Sequence, residues 1–206
     1  MARPAITGVV LAGGLGRRMG GVDKGLQLLN GRPLVSHVIE RLAPQVDELL
    51  INANQNGERY AAFGYPVLAD RIPEFAGPLA GLHAALSAAT NPLVATAPCD
   101  SPFLPADLIS RLFLALTAPG TKSPWGTTNA NIAVARTFDQ PHPVFCLCRR
   151  TVLPHLNDYL ASGRRKMADW YATLKVVEVT FDDEAAAFEN INTREELGRF
   201  GTTPGK

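Results

Sequence analysis

Apolar positions along this chain fall into short continuous runs that alternate with segments in which they recur every three or four residues. Ala5-Ile-Thr-Gly-Val-Val-Leu-Ala12 is nearly all apolar and stops at Gly13-Gly14, as a strand buried on both faces does. Val46–Asn52, Pro66–Asp70 and Pro92–Ala97 read as further strands. Helical spacing follows Pro33, with Leu34, Val38, Ile39 and Leu42, and again from Pro105, with Leu108, Ile109, Leu112 and Leu116. A third helix, rich in alanine, runs from Gly77-Pro78 to about Ala89, and a short polar one follows Gln55. Proline suits the first turn of a helix, and Asn30-Gly31 marks a turn after the short apolar piece Leu26–Leu29. This alternation up to residue 116 predicts an α/β chain with a doubly wound, mostly parallel, Rossmann-like sheet and right-handed crossovers.

Regularity weakens beyond that point. Ala118–Asn129 is rich in Pro, Gly and Thr, and strands at Ile132–Arg136 and Val144–Cys148 flank Asp139-Gln-Pro-His-Pro143, which suggests an excursion that leaves and rejoins the sheet. Helices over Thr151–Leu160 and Ala168–Thr173, a strand over Lys175–Phe181 and a last helix opened by the capping box Thr193-Arg-Glu-Glu complete the reading. Residues 1–200 are expected to form one domain, with residues 201–206 a disordered tail.

Composition narrows the class. The 206 residues are 46% hydrophobic and 19% charged, enough for one substantial core. Twenty basic residues against 19 acidic ones leave a net charge of +1, without the single-signed field that general nucleic-acid binding needs. No export signal is apparent and no apolar stretch is long enough to span a membrane. Three cysteines, an odd number, point to free thiols in a reducing compartment, hence a cytoplasmic protein. Cys146 and Cys148 share one face of a strand and read as small buried hydrophobes.

The most informative segment is Leu11-Ala-Gly-Gly-Leu-Gly-Arg-Arg-Met-Gly-Gly-Val-Asp-Lys24. Glycines let backbone N–H groups approach an anion closely, and Arg17, Arg18 and Lys24 against Asp23 place a net +2 in this loop. The segment fails the P-loop template, because Gly25 stands where Ser or Thr should hold magnesium. It also fails the dinucleotide fingerprint, since Met19 occupies a small-residue position and no ribose-binding acid ends the next strand. What remains is a nucleoside-triphosphate loop of another kind. Asp100, at the carboxyl end of the apolar strand 92–97, is placed to hold Mg²⁺ between nucleotide phosphates, with capping of the next helix as its structural alternative.

Leu-Ala-Gly-Gly-x-x-x-Arg-Met-Gly-Gly-x-Asp-Lys-Gly resembles the signature of nucleotidyltransferases with a glycosyltransferase-A-like fold. In detail the chain is similar to the molybdenum cofactor guanylyltransferases, which join GMP to molybdopterin. Asn52-Ala-Asn54, Asp70, Gly77-Pro-Leu-Ala-Gly81, Pro98-Cys-Asp-Ser-Pro102, His142-Pro143 and Asn190-Ile-Asn-Thr-Arg-Glu-Glu-Leu197 match in order. The resemblance implies a nucleotidyltransferase that uses Mg²⁺, GTP and molybdopterin, with proteins that deliver or receive the cofactor as partners. Residues 1–116 would then form the nucleotide half and 117–200 the acceptor half.

It further implies that Leu11, Ala12, Gly13 and Gly14 line the nucleotide, that Asn52 and Asp70 contact it, and that Gly81 faces the base. Lys24, Arg18 and Asp100 would carry the chemistry, Asp100 as the metal ligand and the two cations on the leaving pyrophosphate. By their own residue types, Asn52 and Asp70 also read as polar strand ends. His142, Arg165, Asn190 and Asn192 are candidates for the acceptor site, although Arg164-Arg165-Lys166 also reads as a solvated helix end. Alternatives on the same fold are a cytidylyltransferase of the same cofactor and a sugar-phosphate nucleotidyltransferase. Leu11-Ala-Gly-Gly14, where cytidylyl relatives tend to show Leu-Ala-Ala-Gly, favours guanine. A non-catalytic nucleotide-binding module would not need both Lys24 and Asp100.

Overall fold

The structure is a computed structural model that describes residues 3–14, 22–72, 77–118, 122–123, 126–127 and 130–201. Seven strands form the main sheet: β1 (Ile6–Leu11), β2 (Glu48–Asn52), β3 (Val67–Leu68), β4 (Leu93–Pro98), β5 (Ile132–Thr137), β6 (Gln140–Arg149) and β7 (Val176–Thr180). Their order across the sheet is β7-β5-β6-β4-β1-β2-β3, and only β6 runs antiparallel to its neighbours. The expected mostly parallel α/β sheet is therefore present. From β1 the chain builds outward to β2 and β3, then returns to place β4 on the other side of β1. That reversal creates a switch point between β1 and β4, the crevice where open α/β sheets bind ligands.

Helices cover both faces because strand residues alternate between them. Val10 and Ile51 point to a core shared with α1 (Leu34–Leu42) and α4 (Leu108–Thr117). Val9, Leu11 and Leu50 point the other way, toward α3 (Pro78–Ala88), α5 (Leu153–Ala161) and α6 (Met167–Tyr171), where Trp170 is fully buried. The short α2 (Gly57–Ala61) adds Tyr60 to the first core. Cys146 and Cys148 do share a face, are free, and are buried with Cys99. Asn30 and Gly31 both adopt left-handed backbone, the geometry of the tight hairpin joining residues 28–29 to 32–33.

Two expectations need correction. Residues 140–143 do not leave the sheet: Gln140, Pro141 and His142 pair with Thr137, Arg136 and Ala135, ahead of an irregularity before Cys146. Pairing of β6 with β4 starts only at Cys146, so among the described strands Pro141 and Pro143 have a neighbour on one side only, an edge position in which proline is tolerated. The helix expected from Pro105 begins at Leu108, because the Pro105 carbonyl closes a tight turn with the Leu108 N–H and accepts from Gln45 Nε2 at 2.9 Å.

The last helix, α7 (Arg194–Gly201), is opened by the predicted capping box. Thr193 Oγ1 accepts the Glu196 N–H at 3.1 Å, and Glu196 Oε2 accepts the N–H groups of Asn192 and Thr193 at 2.6 and 3.0 Å. The helix extends through Gly201, the first residue assigned to the tail, and residues 202–206 lie outside the described residues. Just before it, Ile191 is fully buried in a small cluster with Leu29 and Leu34, against which Phe103, Leu197 and Phe200 pack. Replacing Ile191 with Ala is expected to lower stability by about 2–5 kcal/mol, read as a shift of the denaturant midpoint.

Candidate active site

The carboxyl ends of β1, β2 and β4 come together in register, Leu11 lying opposite both Asn52 and Pro98. Backbone bonds continue past the strand ends: Ala12 N–H reaches the Asn52 carbonyl at 2.7 Å and Cys99 N–H the Leu11 carbonyl at 3.1 Å. The described residues that directly follow β1, β2 and β4 thus leave from one edge.

On the β2 side, Asn52 is only 2% exposed, and a buried amide must find partners. Its Nδ2 donates to Asp70 Oδ1 at 2.9 Å and to the Leu68 carbonyl at 3.3 Å. Asn54 Nδ2 donates to the other Asp70 oxygen at 2.8 Å, and Asn54 Oδ1 accepts the Asp70 N–H at 2.8 Å. Asp70 is therefore fixed by two amides. A Cβ on Gly13 would stand 2.8 Å from Asn54 Nδ2, and one on Gly81 would stand 2.6 Å from Asn52 Oδ1. Gly81 lets α3 lie directly on the Asn52 amide. Gly14 differs, since a Cβ there would meet nothing within 4 Å among the described residues.

On the β4 side, Lys24 Nζ lies 3.4 Å from Asp100 Oδ2 and donates to Asn192 Oδ1 at 2.6 Å. The two charged side chains are 22% and 13% exposed. Burial pushes the Asp100 carboxyl above its usual range, and the opposing pull of Lys24 does not cancel that effect. The C-terminal segment closes over this pair: the Ile191 N–H donates to the Asp100 carbonyl at 2.9 Å and Ser101 Oγ donates to Asn190 Oδ1. Cys99, beside the metal candidate, is buried and its thiol is pushed well up by that burial, as expected of a scaffold residue rather than a nucleophile.

The fourteen expected positions thus separate. Lys24, Asp100, Asn190 and Asn192 belong to one bonded group, while Gly13, Asn52, Asp70 and Gly81 belong to another, joined through Leu11 and Ala12 of β1. Asn190 and Asn192, expected on the acceptor, bond Ser101 and Lys24. His142 accepts or donates at Thr137 Oγ1, 2.7 Å away, and stacks on Phe188 with ring centroids 4.8 Å apart. Burial lowers its pKa, so the ring is neutral at pH 7. Arg165 donates to the carbonyls of Leu160 and Arg164. Arg18 lies outside the described residues. The geometry adds Asn54 and Ser101, of which Asn54 is signalled by the Asn-Ala-Asn pattern, two residues apart on one side of a strand end.

A family model described as the MobA-like NTP transferase domain matches residues 8–177. The chain belongs to that family. It is 50% identical over 202 residues to a molybdenum cofactor guanylyltransferase of Cupriavidus necator, covering 96% of both chains. It is 51% identical over 192 residues to one from Ralstonia nicotianae, covering 93% of this chain and 94% of that one. The crystal structure of molybdopterin-guanine dinucleotide biosynthesis protein A from Archaeoglobus fulgidus superposes with a TM-score of 0.76 at 24% identity, over 95% and 96% of the two chains. The protein is a nucleotidyltransferase of the molybdenum cofactor guanylyltransferase family.

In this nucleotidyltransferase the two glycines at the edge do different work, which substitution will separate. Gly81→Ala is expected to destabilise the fold by about 1–3 kcal/mol, because the new methyl must displace an amide that is already bonded. Gly14→Ala meets nothing among the described residues and should stay within about 0.5 kcal/mol of the parent. Thermal melts of the two variants side by side check both values.

Proposed function

We propose that the protein transfers GMP from GTP to the terminal phosphate of molybdopterin carrying molybdenum, forming the guanine dinucleotide cofactor and releasing pyrophosphate. The observation that carries this reading is the Lys24–Asp100 pair, half-sheltered at the crevice between β1 and β4. The names borne by relatives at 50% identity support the choice of guanine and of the acceptor. No helix among the described residues is long and apolar enough to cross a membrane. Three buried free thiols suit a cytoplasmic setting.

In the reaction an acceptor phosphate oxygen bonds to the α-phosphorus of GTP as the bond from that phosphorus to the bridging oxygen breaks, and pyrophosphate leaves with the electron pair. The acceptor phosphate is already anionic at pH 7, so no side chain need take its proton. Charge must instead be neutralised at the α-phosphate and on the leaving group. Lys24, together with Arg18 in our reading, meets the leaving pyrophosphate, and the backbone from Leu11 to Gly14 lies along the phosphates. The open space at Gly14 is the approach such a backbone needs. Asn52 and Asp70, braced by Asn54, hold the nucleoside, with Gly81 behind it. Residues 117–200 supply the acceptor half, where His142 and Arg165 are the candidates.

Asp100 suits a divalent metal. It is a buried carboxylate whose charge is under-compensated by Lys24, and no cluster of three His, Cys, Asp or Glu ligands occurs among the described residues. A lone carboxylate completed by substrate phosphates and water is a magnesium donor set rather than a cage for a resident structural ion. When bound, Mg²⁺ would supply positive charge to the α-phosphate.

Pyrophosphate release measured with each nucleoside triphosphate and molybdopterin should favour GTP, and a preference for CTP would refute the guanylyl assignment. Asp100→Asn should cut turnover by about 100-fold or more. Its melting temperature should equal or exceed the parent's, because removing the charge also removes its burial penalty. Full turnover in that variant would remove Asp100 from the site.

A further inference from the structure

Asp23 immediately precedes Lys24, yet its carboxylate does not pair with that ammonium. One oxygen accepts the hydroxyl proton of Tyr60 at 2.5 Å, the other accepts Asn56 Nδ2 at 2.9 Å, and Gln27 Nε2 donates to the Asp23 carbonyl at 3.1 Å. Tyr60 is fully buried in the core under α2. A Cβ on Gly25 would meet its hydroxyl at 2.5 Å and Cys99 Sγ at 3.2 Å, so the residue after Lys24 is seated directly on the phenol. Asn56 holds left-handed backbone, φ 54° and ψ 32°, at the start of α2.

This arrangement resolves a competition. A free carboxylate on the residue before Lys24 would add a second anionic rival to an incoming phosphate, beside Asp100 at 3.4 Å, and the rivalry strengthens as the crevice sheds water. Both Asp23 oxygens are instead occupied by neutral donors, which hold the negative charge against α2 while Lys24 reaches Asn192 and Asp100 on the opposite side. Burial pushes the Tyr60 phenol far up, so it remains a donor throughout the working range.

We propose that Tyr60, with Asn56, is a positioning residue for nucleotide transfer: it latches the Asp23 carboxylate onto α2, so that no second carboxylate competes with the triphosphate for the neighbouring Lys24 ammonium. The inference rests on the reading of Lys24 as a ligand of the leaving phosphates. It predicts an effect confined to the part of the nucleotide that Lys24 meets, which a general loss of packing would not produce.

The test is calorimetric binding of GTP and of GMP, with Mg²⁺ and without acceptor, to the full chain. Tyr60→Phe keeps the ring and deletes the donor, and it should weaken GTP about tenfold, the worth of one hydrogen bond to a charged group, while leaving GMP unchanged. Asn56→Gly suits the left-handed backbone and removes the second donor without touching the core. It should weaken GTP about threefold, again sparing GMP. Tyr60→Phe combined with Lys24→Ala should be no worse than Lys24→Ala alone, since both act through one contact.

If Lys24→Ala binds GTP normally, the site reading itself falls and the latch with it. Where Lys24→Ala weakens GTP, unchanged GTP affinity in Tyr60→Phe overturns the latch alone. Equal losses for GTP and GMP, or additivity in the double variant, overturn it as well. Should Tyr60→Phe fail to fold, Asn56→Gly decides, and normal GTP affinity there refutes the proposal.

Discussion

The buried amide of Asn52 is the constraint around which this edge of the sheet is built. It ends β2 opposite Leu11, it is shielded from water, and among the described residues its N–H groups are satisfied by the Leu68 carbonyl and Asp70. An amide in that position dictates its surroundings, because leaving it unpaired costs more than the bonds return. Asp70 must come close, Asn54 must brace the far side of that carboxylate, and the backbones of Gly13 and of α3 must pass without a Cβ. The glycines at 13 and 81 are therefore consequences of one polar group, separated by 68 residues of chain and joined by one atom.

Across β1, electrostatics take over. The chain as a whole is nearly neutral, with 20 basic and 19 acidic residues, so it exerts little long-range pull of either sign. What matters is local. Asp100 is buried enough that its charge is disfavoured even beside Lys24. Such a pair is a poor source of stability, and additional positive charge at Asp100 would relieve the imbalance that burial leaves there.

The fold was legible in the chain to the extent that local pattern decides it. The strand at Ile6–Leu11 announces itself by its continuous apolar run, the helix at Leu34–Leu42 by periodicity, and the capping box at Thr193 by residue type. Residues 140–143 were misread because two prolines suggest a break, and only the pairing partners of β6 reveal that its edge is free there. The same limit applies to the site. Leu11, Asn52, Asp70 and Asp100 sit at strand ends, which the sequence marks. Nothing near Tyr60 marks it as a partner of Asp23, 37 residues away, and nothing near Asn192 marks it as a partner of Lys24, 168 residues away. Those contacts are products of topology, which spacing along the chain does not encode.

Lys24 shows why such distant contacts matter. A lysine ammonium on a four-carbon stem after a glycine-rich loop has no geometry of its own, and fixing it requires overcoming about 2 kcal/mol of rotamer entropy. Here two unrelated parts of the chain share that task. The latch at Tyr60 and Asn56 holds the preceding carboxylate away, and the C-terminal segment, itself fixed by Ile191 and by the Thr193–Glu196 box, presents Asn192 to the ammonium. Neither element lies in the glycine loop. The position of Lys24 is therefore set by residues distant from it in the chain, at 56, 60 and 192.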